Sequence, residues 1–331
     1  GGSCEMAEEV FTDCEEQKVD LMEEDFVAAV RIFADAGKRE RVFGVLGTMS
    51  ELIYTMSSQS LEQIQQIFSG TLSREASMVG IDIDVGRCSH CGLSLNSLDL
   101  TDAELSDMLG QIEGIARVGD KQKQSFDAFK NWLSHNGPHD VVIDGANVGF
   151  FNARPDQGES LSYAQVDRVV QWYIARNQKP LLVMHCRHFS DQARMSHSDR
   201  EKVDGWKRRK ILYSTPPKMN DDWFWLFAGV WATKQAKKGS LFMVSNDQMR
   251  DHHFQMLSTR NFLKWRERHW VNFHFTDKGS VSEPCFAFPS KYSVRGQLAK
   301  PNRSDLWHFP SSDNAGQWLC CAKEKESKEK E

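Results

Sequence analysis

The sequence predicts an α/β fold on a parallel sheet, preceded by a smaller α-helical segment and a cysteine knuckle. Three observations carry this. From about residue 140, buried strand patterns alternate with helical ones. Residues 23 to 51 instead show apolar stripes at helical spacing, and "RCSHCG" then places Cys88 and Cys91 in a C-x₂-C pair where the hydrophobic period moves toward two.

The chain has 331 residues, enough for two or three domains, and is 40% hydrophobic and 26% charged. Mean hydropathy is -0.53, the composition of a soluble protein. It contains no run of about 18 apolar residues, so no membrane-spanning helix is predicted. The start, "GGSCEMAEEVF", has neither the basic n-region nor the apolar h-region of a secretory signal, and reads as the beginning of a trimmed chain. Eight cysteines are too sparse for a disulfide framework, which points to a reducing compartment and to metal binding by any clustered pair. The net charge of -5 hides an asymmetry. Residues 1–140 carry 25 acids against 11 bases, and the remainder 21 against 30. A basic second half with carboxylates at particular places suits a polyanionic substrate with metal at the centre.

In "EEDFVAAVRIFADAGKRERVFGVLGTMSE", Phe26, Val27, Val30 and Phe33 form one helical stripe and Val42, Val45, Leu46 and Met49 a second, with a turn at "DAGKRE". This helix pair is similar to a pentatricopeptide repeat; a single such unit cannot bury its own face. "SLEQIQQIFSG" continues the helical character, and Thr101 with Glu104 forms a capping box that opens the helix at 101–119. Then follow the strand "DVVIDGANVGF", the helix "LSYAQVDRVVQWYIARN", the strand "PLLVMHC", a basic stretch and the short strand "ILYS". The helix "DDWFWLFAGVWATKQ" and the strand "SLFMVSND" complete the alternation. The tail "CCAKEKESKEKE" is a charge run, expected to be disordered.

Asp144 ends the strand "VVID", Asp221 and Asp222 open a helix after "PPKMN", and Asp247 follows "LFMVSN". Any one of them could be a cap or a turn residue. Three strand–helix junctions of one sheet, however, place all four carboxylates at its C-terminal edge, where hard oxygen ligands suit Mg²⁺ or Mn²⁺ and the cation offsets their repulsion. Cys88 and Cys91 need two further ligands for a zinc site. His308 in "DLWHFP" and Cys320 in "QWLCC" are available, with His90, Cys285 and Cys321 as rivals. "GWKRRK", "KQAKKG" and "LKWRERHW" interleave bases with aromatics, as phosphate contacts with stacking require, although each could be a solvated helix face. His252 follows Asp247 in "MRDHHF" and could position a phosphate or a water. The dinucleotide GxGxxG spacing and the GxSxG nucleophile elbow are both absent, which disfavours nucleotide-cofactor and acyl-transfer chemistry.

"VVIDGANVGFF", "LYSTPPKMNDDWFWLFA", "VSNDQMRDHHF", "FLKWRERHWVNFHF", "WHFP" and "WLC" occur in this order downstream of the C-x₂-C pair. Together they closely resemble the protein-only ribonuclease P family (PRORP), of the single-subunit plant and protist kind, over residues of about 23 to 322. The resemblance implies a pentatricopeptide-repeat remnant at 1–71, a split zinc-binding module at 72–102 and 293–322, a NYN (PIN-like) metallonuclease domain at 103–292, and a charged tail at 323–331. It implies two catalytic Mg²⁺ (or Mn²⁺) ions on Asp144, Asp221, Asp222 and Asp247, and a structural Zn²⁺ on Cys88, Cys91, His308 and Cys320. His252 matches the histidine of the family's NDxMRDH segment and is a further catalytic candidate. The implied activity is Mg-dependent endonucleolytic removal of the 5′ leader of precursor tRNA, leaving a 5′-phosphate tRNA and a 3′-OH leader. The precursor tRNA is the expected partner, for a monomer with no obligate protein partner and no membrane, in mitochondria, plastid or nucleus. The chain departs from the family at its N-terminus, where it has room for one or two repeats. Two competing readings are a general PIN-like ribonuclease in RNA decay and a non-catalytic, zinc-stapled RNA-binding module.

Overall fold

A computed structural model of the chain describes residues 2–17, 21–153, 160–190, 195–236, 241–247, 249, 260–278, 281–299, 306–314 and 316–322. His252, residues 237–239 of "KQAKKG" and the tail 323–331 lie outside the described residues. The chain divides into two compact units, Gly1–Leu98 with Ser290–Glu331, and Asp99–Pro289.

The first unit opens with helix α1 (Gly2–Gln17), so the stretch read from sequence as a trimmed start is helical. Helices α2 (Glu23–Asp35) and α3 (Arg39–Leu52) follow, with Gly37 at a positive φ of 70° in the turn between them. Every residue of the two stripes is buried. Helix α4 (Ser58–Gln66) runs into a π turn over Ile67–Thr71. The stripes are covered by a sheet whose strands come from both ends of the chain. Strand β1 (Ala76–Gly80) pairs antiparallel with β10 (Gln317–Ala322), β10 with β9 (Leu306–Pro310), and β9 with β8 (Gln297–Leu298). Trp307, Phe309, Leu319 and Cys321 share one core with the helices, and Phe43 stacks on Trp307 at 5.7 Å.

The second unit is the α/β body. Helices α5 (Asp102–Ala116) and α6 (Asp120–Asn136) precede it, and α5 opens with the Thr101–Glu104 capping box. Its parallel strands are β2 (Val141–Asp144), β3 (Pro180–His185), β4 (Leu212–Thr215), β5 (Phe242–Val244) and β6 (Trp270–Lys278). The order is β4-β3-β2-β5-β6, with β7 (Val281–Ala287) antiparallel at the edge. The crossovers are α7 (Gly145–Gly149) with α8 (Tyr163–Ile174), then α9 (His197–Arg208), α10 (Asp221–Gln235) and α11 (Arg260–His269). The chain leaves β2 for β3 on one side and returns to β5 on the other. The gap between β2 and β5 is therefore the switch point where doubly wound sheets place their sites.

Helix α10 is buried on nearly all sides: Trp223 through Val230 are all core, packed among Phe126, Phe129 and the sheet. Such a helix reads as apolar all round, which explains the unbroken "WFWLFAGVW". The same packing corrects the reading of "LKWRERHW" as an RNA-stacking surface. Trp265 is fully buried, Arg268 is buried and bonds Asp99 at 3.0 Å, and His269 Nδ1 lies 2.9 Å from the Leu241 carbonyl. These residues hold α11 to the body. In "GWKRRK" the tryptophan is likewise core, with Trp206 Nε1 donating to Asp167 at 2.8 Å, while Lys207 to Lys210 are exposed.

Candidate active site and metal centre

Asp144 ends β2 and also caps α7: its Oδ1 accepts from the Asn147 backbone N–H at 3.1 Å, and its Oδ2 from Ser245 Oγ at 2.9 Å. Cap and site position coincide, so the two readings of this aspartate do not exclude each other. Gly145 is needed here, because a Cβ on it would lie 2.4 Å from Met184 of the neighbouring strand. Asp247 is fixed from both directions, its N–H donating to Ser245 Oγ at 3.0 Å and its Oδ1 accepting from Met249 N–H at 2.8 Å. Ser245 thus joins the ends of β2 and β5. Asn246 ties β5 to β6 through Phe273 at 2.8 and 3.0 Å, and its own N–H reaches Asn147 Oδ1 at 2.8 Å. Asn147, Ser245 and Asn246 are the supporting residues that sequence reasoning did not single out. The signal was the polar run "SND" after an apolar strand.

The remaining pair opens α10. Asn220 is its N-cap, accepting from Asp222 N–H at 3.0 Å, and Trp225 Nε1 donates to Asp222 Oδ1 at 3.2 Å. One tryptophan of "WFWLF" therefore orients the second aspartate.

The electrostatics show that the carboxylates feel one another. Asp144, only 5% exposed, has its pKa pushed up to about 7, chiefly by burial, with the charges of Asp222 and Asp221 adding to it. Asp222 is pushed up to about 6 by burial and by Asp221 and Asp247. The site thus combines several oxygen donors with unfavourable negative charge. That donor set fits a hard divalent cation, which would restore both carboxylates to their charged form.

Among the described residues, one set of three or more His, Cys, Asp and Glu side chains brings its ligand atoms together as a metal ion requires: Cys88, Cys91, His308 and Cys320, all within 4.8 Å of one another. The four aspartates do not converge in this way. Local geometry explains the cysteine set. Gly92, at φ 69°, turns the knuckle back so that its N–H bonds the Cys88 carbonyl at 3.1 Å. Cys320 and His308 face each other directly across β10 and β9. The sequence rivals are placed elsewhere: His90 pairs with Glu75 at 3.0 Å, and Cys321 is buried in the helix core.

Burial would lower the His308 pKa, but contacts with Cys88 and Cys91 push it up to about 9. Hydrogen bonds with Cys320 and Cys91 pull Cys88 down, and hydrogen bonds with Cys88 and Cys91 push Cys320 up. These groups contend for protons at a point where a cation could replace them. A buried Cys₃His set fits Zn²⁺, with His308 Nε2, 3.4 Å from Cys91 Sγ, facing the thiols.

The family described as protein-only RNase P matches residues 83–325. Proteinaceous RNase P 2 of Arabidopsis thaliana is 27% identical over 96% of this chain and 66% of its own length. Proteinaceous RNase P 1, chloroplastic/mitochondrial, of the same plant is 26% identical over 98% and 60%. The mitochondrial ribonuclease P catalytic subunit of Mus musculus is 24% identical over 71% of this chain and 40% of its own length. The chain therefore spans less than two thirds of the length of these curated relatives. The crystal structure of the Arabidopsis nuclear proteinaceous RNase P 2 superposes with a TM-score of 0.61 at 26% identity, over 97% of this chain and 73% of that one. With the match extending over the C-x₂-C knuckle and the whole α/β body, this chain belongs to the protein-only RNase P family.

Proposed function

We propose that the chain is a metal-dependent endoribonuclease that removes the 5′ leader of precursor tRNA. The observation that carries this reading is the placement of four carboxylates at one sheet edge around the β2–β5 switch point, two of them with raised pKa. The names of the relatives supply the substrate. Asp144, Asp221, Asp222 and Asp247 would hold Mg²⁺ or Mn²⁺ together with RNA oxygens, since the carboxylates do not close into a cage. The bound metal would supply an activated water for in-line attack and charge stabilisation at the leaving 3′ oxygen. The chain's own residues orient the donors: Ser245 and the α7 N-terminus fix Asp144, Trp225 and Asn220 fix Asp222, and the Met249 N–H fixes Asp247. Successive helical residues diverge by about 100°, so Asp221 and Asp222 serve the metal from different directions.

The α/β body is proposed to be the NYN (PIN-like) nuclease domain. Helices α2 and α3 are proposed to be a pentatricopeptide remnant, and the Cys₃His set a structural zinc site within a split module. His252 keeps its candidate role from the resemblance alone. No helix among the described residues is long and apolar enough to cross a membrane. The test is cleavage of one labelled precursor tRNA with product-end mapping, with Mg²⁺ and with EDTA. A single cut at the leader junction, lost in EDTA, is the expected result. Scattered cuts would mean a general ribonuclease, and tight binding without any cut a non-catalytic RNA-binding module.

A further inference from the structure

Strands β3 and β4 run parallel and adjacent, with His185 opposite Thr215. The loops that leave them, 186–189 and 216–220, therefore emerge side by side at the edge that carries the aspartates. Each presents a cation. In the first, His185 Nδ1 accepts from Arg187 N–H at 3.0 Å, and Arg187 Nε donates to His188 Nε2 at 3.3 Å. The acceptor role of Nε2 leaves the ring proton of a neutral His188 on Nδ1. His188 is itself held in place, its ring packed edge-on against Phe150 at 5.6 Å and its carbonyl bonded by the Tyr163 hydroxyl. It lies within electrostatic reach of Asp221. Arg187 is thus an exposed guanidinium on a fixed stem beside the carboxylates.

The second loop is a turn, with Met219 N–H bonding the Pro216 carbonyl at 3.3 Å. Pro217 takes its second position and Lys218 its third, at φ 65°. A turn with proline second and a positive φ third is of type II, and that third position favours glycine. An exposed lysine sits there instead, three residues before Asp221. A residue kept in a backbone region that disfavours it points to a role for its side chain. Among the described residues, neither Arg187 nor Lys218 has a carboxylate partner, although four carboxylates share their edge of the sheet. Two cations with no carboxylate partner among the described residues, on the edge that carries the aspartates, are placed to meet something that is itself negative.

We propose that Arg187 and Lys218 form a phosphate-binding lip that grips the RNA backbone next to the cleaved bond, with His188 positioning Arg187. This rests on the endoribonuclease reading of the aspartate site and adds to it the residues on the β3–β4 side that hold the substrate. The guanidinium fork and the ammonium both match the anionic oxygens of a phosphate.

The test measures binding of a fluorescent precursor tRNA by the full chain in EDTA between 50 and 200 mM salt, with single-turnover cleavage in Mg²⁺ in parallel. Lys218→Gly and Arg187→Gln should each lower the salt slope by about one unit and weaken binding about threefold at the low-salt end. Single-turnover cleavage at subsaturating protein should fall in parallel, by about the same threefold. Lys218→Gly should also raise Tm, since glycine relieves the turn, and Lys218→Arg should keep the binding of the parent. A Lys218→Gly protein with raised Tm but unchanged affinity and salt slope would overturn the lip, leaving the lysine a merely tolerated turn residue. Failure of the parent chain to cleave, while both variants still lose affinity, would instead count against the nuclease reading and leave the lip standing. A parent chain that binds no RNA would overturn both.

Discussion

The two ligand clusters of this chain are built on opposite plans. The Cys88, Cys91, His308 and Cys320 donors gather within 4.8 Å, buried or nearly so, with every ligand on a strand or a tight turn. The aspartates are spread over three strand–helix junctions, half-buried apart from Asp144, and Asp144, Asp222 and Asp247 are hydrogen-bonded in place without the four converging. A closed soft-ligand site can contribute to folding, because its ligands come from distant parts of the chain and have no other use. An open hard-ligand site leaves coordination positions for water and phosphate, at the expense of local stability. On the proposed function, the difference teaches that a closed set suits the fold and an open one suits a substrate.

The largest expected effect falls on the closed cluster. Cys91→Ala should unfold the first unit or lower its Tm by more than about 10 °C, because structural zinc binding is worth about 10–16 kcal/mol, comparable to a whole domain's stability. Thermal unfolding with elemental analysis checks it, and native protein without zinc would break the comparison. Next comes Asp222→Asn. It should cut precursor-tRNA cleavage about a thousandfold, the size of a metal's several kcal/mol of charge stabilisation, while RNA affinity stays within about twofold. Equal losses of binding and cleavage would place Asp222 in RNA binding instead.

The third effect is on pH. In the metal-free fold Asp144 and Asp222 titrate at about 7 and about 6, above the unfolded value of about 3.9. The native state then holds more protons than the unfolded chain, so their contribution falls as pH rises from about 4 to about 7. Buried His139 and His269 have the opposite sign. Burial lowers both to about 4, below the unfolded value of about 6.5, so their contribution rises over about pH 4 to 6.5. In EDTA at pH 7.5, Asp144→Asn should therefore melt a few degrees above the parent, with the gap closing near pH 4. Mg²⁺ should raise the parent's Tm more than the variant's. A variant no more stable than its parent in EDTA would show that the carboxylate is not strained by its neighbours. The smallest effect sharpens the contrast from outside both clusters. Thr101→Ala removes the α5 capping box and should cost about 1 kcal/mol by urea unfolding, with cleavage unchanged.

Much of this was legible locally. The stripes of α2 and α3 are buried as their spacing requires, the Thr101 cap forms, and the strand-end aspartates lie at one edge of a parallel sheet. Each follows from residues within one or two turns of each other. "LKWRERHW" misled because a buried arginine bonded to a surface aspartate and a buried histidine look, in sequence, like exposed basic chemistry; only the position of Asp99 and the Leu241 carbonyl reveals otherwise.

By itself, the sequence determined element type and the chemistry available, because periodicity, caps and side-chain donors are properties of neighbouring residues. Tertiary structure alone decided which donors meet. Strands β1 and β10 pair across more than two hundred residues, and no local pattern specifies that Cys320 faces His308. Nor does one specify that Ser245 joins two strand ends, or that Arg187 and Lys218 share an edge with the aspartates. Pairing order depends on which apolar faces bury one another over the whole chain, and that sum is not written in any single segment.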